Sequence, residues 1–278
     1  MNATSQWHLW ESLGFSLGQV EAGAKNLADM NKDWLKSPPT GDGREITSWI
    51  STHVIFGRDV FLLGWMGHPV PDPDLNDWRG IGRRIVSAFL HYFFGDWRQS
   101  FLYYDDEGYG AVPCDLPRAR TRLPWFDEYC VGLALALCLG DEAATDRLLE
   151  WPGRDLRFDE GFCDKTRADN AYQIWLACRL RGEPAETTAD LLEKVLGSKR
   201  KRPKLLAATA QALLAGDSAG FTRSLTSYLR YYRTSELNPG LVTTAMSDEG
   251  TALWHLARRR GIEVGEIPED LMLMIPRP

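Results

Sequence analysis

Carboxylates are the side chains whose grouping in this sequence suggests chemistry. Asp105-Asp106-Glu107 follows two tyrosines, and the pairs Asp127-Glu128 and Asp159-Glu160 come later. Clustered carboxylates hold Mg²⁺, or split into a raised-pKa acid and an ionised base. Metal chemistry on aspartate-rich helices needs carboxylates on one face and a second cluster opposite. Asp105, Asp106 and Glu107 are consecutive, and at a helix end they would fan around the axis instead of aligning. The histidines are His8, His53, His68, His91 and His255, with no H-E-x-x-H and no two lying four apart. Local spacing therefore excludes a two-histidine metal site on one helix, and leaves open one assembled by folding. His91 and His255 stand beside Tyr92 and Trp254 and read as packing residues with a satisfied ring nitrogen. There is no G-x-x-x-x-G-K-[ST] or G-x-S-x-G, and Gly108-Tyr109-Gly110 is too short to cradle a phosphate. No serine or cysteine sits in a recognisable nucleophile setting. The expectation is no catalytic residue, no metal site and no cofactor.

Cysteine and charge narrow the setting. Cys114, Cys130, Cys138, Cys163 and Cys178 are odd in number, with no C-x-x-C and no zinc spacing. Cys138 and Cys178 fall in apolar helical runs and read as small core residues, in keeping with a reducing cytosol. The net charge is -6, from 32 basic and 38 acidic residues, which argues against nucleic acid as the main partner. The imbalance is local. Between Phe101 and Asn170 there are 15 acidic and 8 basic residues, so the rest of the chain is nearly neutral. Such a stretch is either a set of solvated faces or an acidic surface that attracts a basic protein. The run Lys199-Arg200-Lys201-Arg202-Pro203-Lys204 has no interleaved aromatics, so it supports no base stacking and reads as a solvated linker.

The elements that must position these residues are helical. The 278 residues, 44% hydrophobic and 25% charged, are enough for a sizeable core. The longest uncharged apolar run, Val131 to Gly140, is far short of the roughly 20 residues of a membrane span. The start has no basic region followed by an apolar core, so no secretory signal is expected. Apolar spacing of three and four predicts helices over Trp7–Trp34, about Arg44–Trp65, and from Asn76 toward Tyr104, with Ile81, Ile85, Phe89, Tyr92 and Phe93 inward. Three prolines between Pro69 and Pro73 break the second from the third. Residues 108–124 read as a loop, with Tyr109–Cys114 and Leu271–Ile275 as the two short pieces that could extend. Eleven tryptophans, seven of them in the first hundred residues, are expected mainly in the core, with one or two able to anchor an interface.

From Leu133 onward the chain repeats an arrangement: apolar helix, Gly plus acidic residue, second helix. The turns are Gly140-Asp141, Gly182-Glu183-Pro184 and Gly216-Asp217. Gly adopts the left-handed conformation that ends one helix, Asp caps the next, and Pro184 suits a first helical turn. Pro203 is expected to start the helix that runs to Leu214. The fold class is therefore all-α: an irregular array of antiparallel helix hairpins with at most a short extended piece or two. A single domain over 1–278 is expected, with 1–107 and 125–278 as its natural subdivision.

The last part of the chain adds a resemblance. Ser247-Asp248-Glu249-Gly250-Thr251-Ala252-Leu253-Trp254-His255-Leu256-Ala257-Arg258-Arg259-Arg260-Gly261-Ile262 resembles the C-terminal helix of the immunity protein 49 family: a small-residue start, an apolar helix, then Arg-Arg-Gly. Gly216-Asp217, Phe221, Leu225, Tyr228 and Leu229 are similar to that family's penultimate helix pair. The likeness covers roughly the last quarter of the chain. It implies a cytoplasmic bacterial antitoxin of a polymorphic-toxin system, which binds a cognate toxin domain and blocks it without catalysis. It brings no catalytic residues with it. Charge density alone then nominates Asp105, Asp106, Glu107, Asp127, Glu128, Asp159 and Glu160 as partner-binding residues, which would mimic substrate phosphates if the toxin is a basic nuclease. Neither nucleic acid nor membrane is expected as a partner. A helical-repeat adaptor that binds a peptide in a groove, and a metal-assisted helical enzyme acting through Asp105 and Asp106, are the competing readings.

Overall fold

A computed structural model describes residues 7–16, 18, 20, 22, 57–67, 77–94, 100–105, 108–113, 129–151 and 164–277. The chain divides into two compact units. One comprises residues 1–123 and 237–246 with Pro278, the other residues 124–236 and 247–277. Helix dominates, and the fold class is all-α with one short β-hairpin.

In the first unit, α1 spans Trp7–Ser12, α2 Arg58–Trp65 and α3 Trp78–Phe94. The expected long helix from Trp7 does not run through. It closes at Gly14, which takes φ 92°, with Phe15 N–H bonded to Trp10 O at 3.1 Å and Gly14 N–H to Glu11 O at 2.9 Å. That is a Schellman ending, and helix resumes by residue 18. At the head of α3 the Asp77 carboxylate accepts from Gly80 N–H at 2.9 Å, capping a free donor. Ile81, Ile85 and Phe89 are buried as their spacing predicts. Aromatic edges meet at Trp10–Phe15, Trp10–Trp65 and Phe61–Trp78, with ring centroids 5.2–5.7 Å apart.

The third helix stops at Phe94 and does not reach Tyr104. Strand β1 takes Ser100–Asp105 and pairs antiparallel with β2, Gly108–Pro113, in the register Ser100 opposite Pro113 and Asp105 opposite Gly108. A run of Phe, Leu and two Tyr suits a pleated surface better than a helix, and this local preference prevails. The start of the expected 108–124 loop is thus the second strand.

In the second unit, α4 spans Tyr129–Leu139, α5 Glu142–Leu149, α6 Asp164–Leu180, α7 Ala189–Gly197, α8 Lys201–Ala215, α9 Ser218–Ser235, α10 Asp248–Arg259 and α11 Glu269–Met272. The pairs α4/α5, α6/α7 and α8/α9 are each in contact. Gly140, Gly182 and Gly216 have φ 66°, 90° and 69°, and each turn closes with the paired hydrogen bonds of a Schellman ending. Asp141 accepts from Ala144 N–H at 3.0 Å and Asp217 from Gly220 N–H at 2.8 Å, the caps expected from sequence. Pro184 does not start a helix directly, because a 3₁₀ turn at Glu186–Thr188 precedes α7.

Packing also reaches well beyond neighbouring hairpins. Helix α4 is buried around its whole circumference from Tyr129 to Ala136, as an all-apolar helix must be, and its main partner is α10. Helix α8 touches α6, α7, α9 and α10. Leu271 and Met272, expected in an extended piece, belong to α11, whose first turn follows Pro268 and carries Glu269 and Asp270 against the positive helix end. Among the described residues no helix is long and apolar enough to cross a membrane.

Candidate functional site

Of the carboxylates nominated from charge density, Asp105 is the last residue of β1. It lies in a strand, so the fanning expected of a helix end does not apply to it. Asp106, Glu107, Asp127, Glu128, Asp159 and Glu160 lie outside the described residues. Among the described residues no three His, Cys, Asp or Glu side chains gather as metal ligands.

The densest polar chemistry that is described lies inside the second unit, and the basic run supplies it. That run is not a linker: α8 begins at Lys201, and Pro203 is its third residue, where a missing N–H costs nothing. This placement turns Arg200 and Arg202 inward. Arg202 donates to the Glu249 carboxylate on α10, and its other terminal nitrogen is 3.6 Å from Asp169 on α6. Arg200 donates to the second oxygen of Asp169. Tyr228 on α9 donates to Glu249 at 3.2 Å and receives the Ser247 hydroxyl at 3.1 Å. Ser247 also caps α10 by accepting from Gly250 N–H at 3.3 Å.

Two guanidinium groups thus face two carboxylates, so the cluster carries no net charge. The Glu249 carboxylate holds the Arg202 guanidinium protonated beyond its ordinary range, against the opposing effect of burial. Burial, and then the charge of Glu249, push the Tyr228 hydroxyl well up. Asp169 Oδ2 and both Glu249 oxygens are bonded to a guanidinium or hydroxyl, Asp169 Oδ1 lies only within ion-pair distance of Arg202, and the cluster ties α6, α8, α9 and α10 together. On α6 beside Asp169, the Asn170 amide and the Tyr172 hydroxyl are buried without a hydrogen-bond partner among the described residues. Each unpaired group costs about 1–3 kcal/mol, which the surrounding apolar burial must offset.

A second polar contact joins Cys138, His255 and Pro276. His255 Nε2 is 2.8 Å from Pro276 O, so the tautomer carries its hydrogen on Nε2 and donates to that carbonyl. The Cys138 thiol donates to the same carbonyl at 3.7 Å, with Sγ 3.6 Å from Nε2. The arrangement resembles a cysteine–histidine dyad only in composition. Burial, and then the Asp248 charge, drive the Cys138 thiol far up, while burial lowers the His255 imidazole. Both shifts oppose the thiolate–imidazolium pair that a nucleophilic cysteine needs. What the contact does is dock residues 273–277 onto α10, helped by Ser247 N–H bonding Met274 O at 2.9 Å. The expected satisfied ring nitrogen on His255 is present, as is its edge-on packing against Trp254 with centroids 4.8 Å apart. Cys178 is buried, as expected, whereas Cys138 is only half-buried because it lies near the exposed end of α4.

Asp169, Arg202, Tyr228 and Glu249 are the residues that sequence reasoning missed as a group. One signal pointed to them. Glu249 occupies the same stripe as Ala252, Leu253 and Leu256, at steps of three and four, and all of these are buried. A carboxylate on the apolar stripe of a helix requires a buried cation. No protein-family model, curated protein or solved structure matches this chain.

Proposed function

We propose that the protein is a non-catalytic immunity protein, acting in the bacterial cytoplasm, that binds a cognate toxin domain and covers its active site. One observation carries the reading. The segment that resembles the immunity protein 49 family is realised as a complete structural unit, with a packing role for each feature of the likeness. Its small-residue start is the Ser247 cap, its apolar body is buried from Gly250 to Ala257, and its basic end closes at Gly261 with φ 70°. The likeness is thus one of scaffold. The toxin-facing surface is assigned on charge to Asp105, Asp106, Glu107, Asp127, Glu128, Asp159 and Glu160, within the segment that holds the chain's acidic excess.

The test is co-expression with the C-terminal domain encoded by the neighbouring upstream gene. Rescue of growth, together with a stable complex at equimolar stoichiometry, is the expected result. A toxic domain that this chain neither binds nor relieves would overturn the reading. Reversing Asp106, Glu128 and Glu160 together to Lys should slow association at low ionic strength. An unchanged association rate would remove the acidic surface from the interface while leaving immunity intact.

A further inference from the structure

The second unit carries a cleft of about 480 Å³, within the range of roughly 300–1,000 Å³ typical of small-molecule sites. Its apolar surface comes from Trp254 on α10, from Ile262, Val264 and Ile267 in the segment after it, and from Met272 on α11. Trp254, Ile267 and Met272 are buried, while Ile262 and Val264 are half-buried. The walls are fixed at several points. Gly261 ends α10 in the left-handed conformation, Gly265 N–H donates to Thr222 on α9 at 2.9 Å, and Arg233 of α9 pairs with Asp270 of α11.

One guanidinium stands over this surface. Arg258 lies with its central carbon 5.0 Å from the centroid of the Trp254 ring. Its neighbour Arg259 turns away to Glu142 at 3.0 Å and to Asp146 at 2.5 Å. Arg258 itself has no carboxylate within ion-pair reach among the described residues. A stacked guanidinium keeps its planar fork of donors free, in the geometry that receives one carboxylate through two parallel bonds. Glu263 lines the same cleft, and its negative charge disfavours a phosphate dianion relative to a monoanion.

We infer that the cleft beneath Arg258 and Trp254 is a binding site for a small amphipathic monocarboxylate. The apolar body lies on Trp254, Ile262, Val264 and Met272, and the carboxylate bonds the Arg258 guanidinium. The site is independent of the toxin-neutralising reading, and requires no acidic surface.

The probe is 4-phenylbutyrate against its uncharged analogue 4-phenylbutanamide, titrated into the full chain. Calorimetry gives the affinities, and the Trp254 indole N–H resonance reports the location. The acid should bind about tenfold tighter than the amide, because only the acid engages the guanidinium. Arg258→Gln should reduce the acid to the level of the amide and leave the amide unchanged. Arg258 is exposed and has no ion pair among the described residues, so the variant gives up only the ring contact and should unfold within a few degrees of the wild-type temperature. Should it not, Arg258→Lys keeps the charge without the fork and should weaken the acid selectively. Equal affinities for acid and amide would overturn the inference. So would an unmoved Trp254 resonance at millimolar ligand, or variants that bind the acid as wild type does.

Discussion

Arg202 at the start of α8 bonds Glu249 in the first turn of α10, 47 residues further along the chain, and both are largely withdrawn from water. The pair exists because Pro203 lets a helix begin inside a basic run, and because Ser247 fixes where α10 begins. Removing one partner leaves the other charge buried, so Arg202→Met or Glu249→Leu alone should each cost about 3–5 kcal/mol. The double variant should cost less than the sum, since neither charge is then stranded. Urea unfolding of the four proteins measures this coupling. Strictly additive losses would mean that the two side chains are energetically independent.

Two glycines separate a backbone requirement from a packing requirement. Gly216 ends α8 at φ 69°, and a methyl group there would meet no atom within 4 Å. Gly216→Ala should therefore cost about 1–2 kcal/mol from the left-handed backbone alone, and Gly216→Asn less. Gly64 sits inside α2, where a methyl would overlap the side chain of Trp78 on α3. Gly64→Ala should cost about 1–3 kcal/mol by forcing the helices apart, despite the higher helix propensity of Ala. Thermal unfolding distinguishes the two, because Trp78→Ala should offset part of the Gly64→Ala loss and none of the Gly216→Ala loss.

What was legible in the sequence is what short-range chemistry determines. Gly140-Asp141 and Gly216-Asp217 specify a helix end and the next cap within two residues, and both form as read. The helix Asp248–Arg259 was read through the family resemblance alone, although its Ser247 cap is equally local. The β-hairpin was missed because Phe101, Tyr103 and Tyr104 continue the apolar spacing of the helix before them, and only their strand preference marks the change. The inward turn of Arg200 and Arg202 was missed for a different reason. Their carboxylates lie 31 and 47 residues away, so nothing beside the run distinguishes a solvated charge from a buried one. The same holds for the cleft, where Arg258 and Trp254 are one helical turn apart but the rest of the apolar surface comes from a later segment.

His255 makes stability depend on pH in a defined direction. Burial lowers its imidazole pKa below the ordinary value of 6.5, opposed by the bond to Pro276 O. The unfolded chain therefore takes up a proton first as pH falls. Stability is fully present above about 6.5 and declines as pH drops toward the folded-state pKa. In His255→Gln an amide N–H can replace the donor to Pro276 without titrating. Comparing urea midpoints at pH 7.5 and 5.5, the wild type should lose more than the variant. An equal loss in both would place the acid sensitivity elsewhere.

Asp59 in the first turn of α2 works in the opposite direction. Burial raises its carboxyl from 3.8 to about 6, only partly countered by Arg58, and one carboxylate oxygen has no hydrogen-bond partner among the described residues. The folded chain therefore holds the proton more tightly than the unfolded chain. Above pH 6 the ionised carboxylate imposes its full cost, about 2–3 kcal/mol, which is relieved as pH falls from 6 toward 4. Asp59→Asn keeps the shape without the charge, and should raise the unfolding midpoint at pH 7.5 while changing it little at pH 4. The two linkages oppose each other over part of the same pH range, so each single variant exposes the effect of the other group. His255→Gln combined with Asp59→Asn should show a flatter pH dependence than either single variant, because the two opposing proton linkages are then both removed.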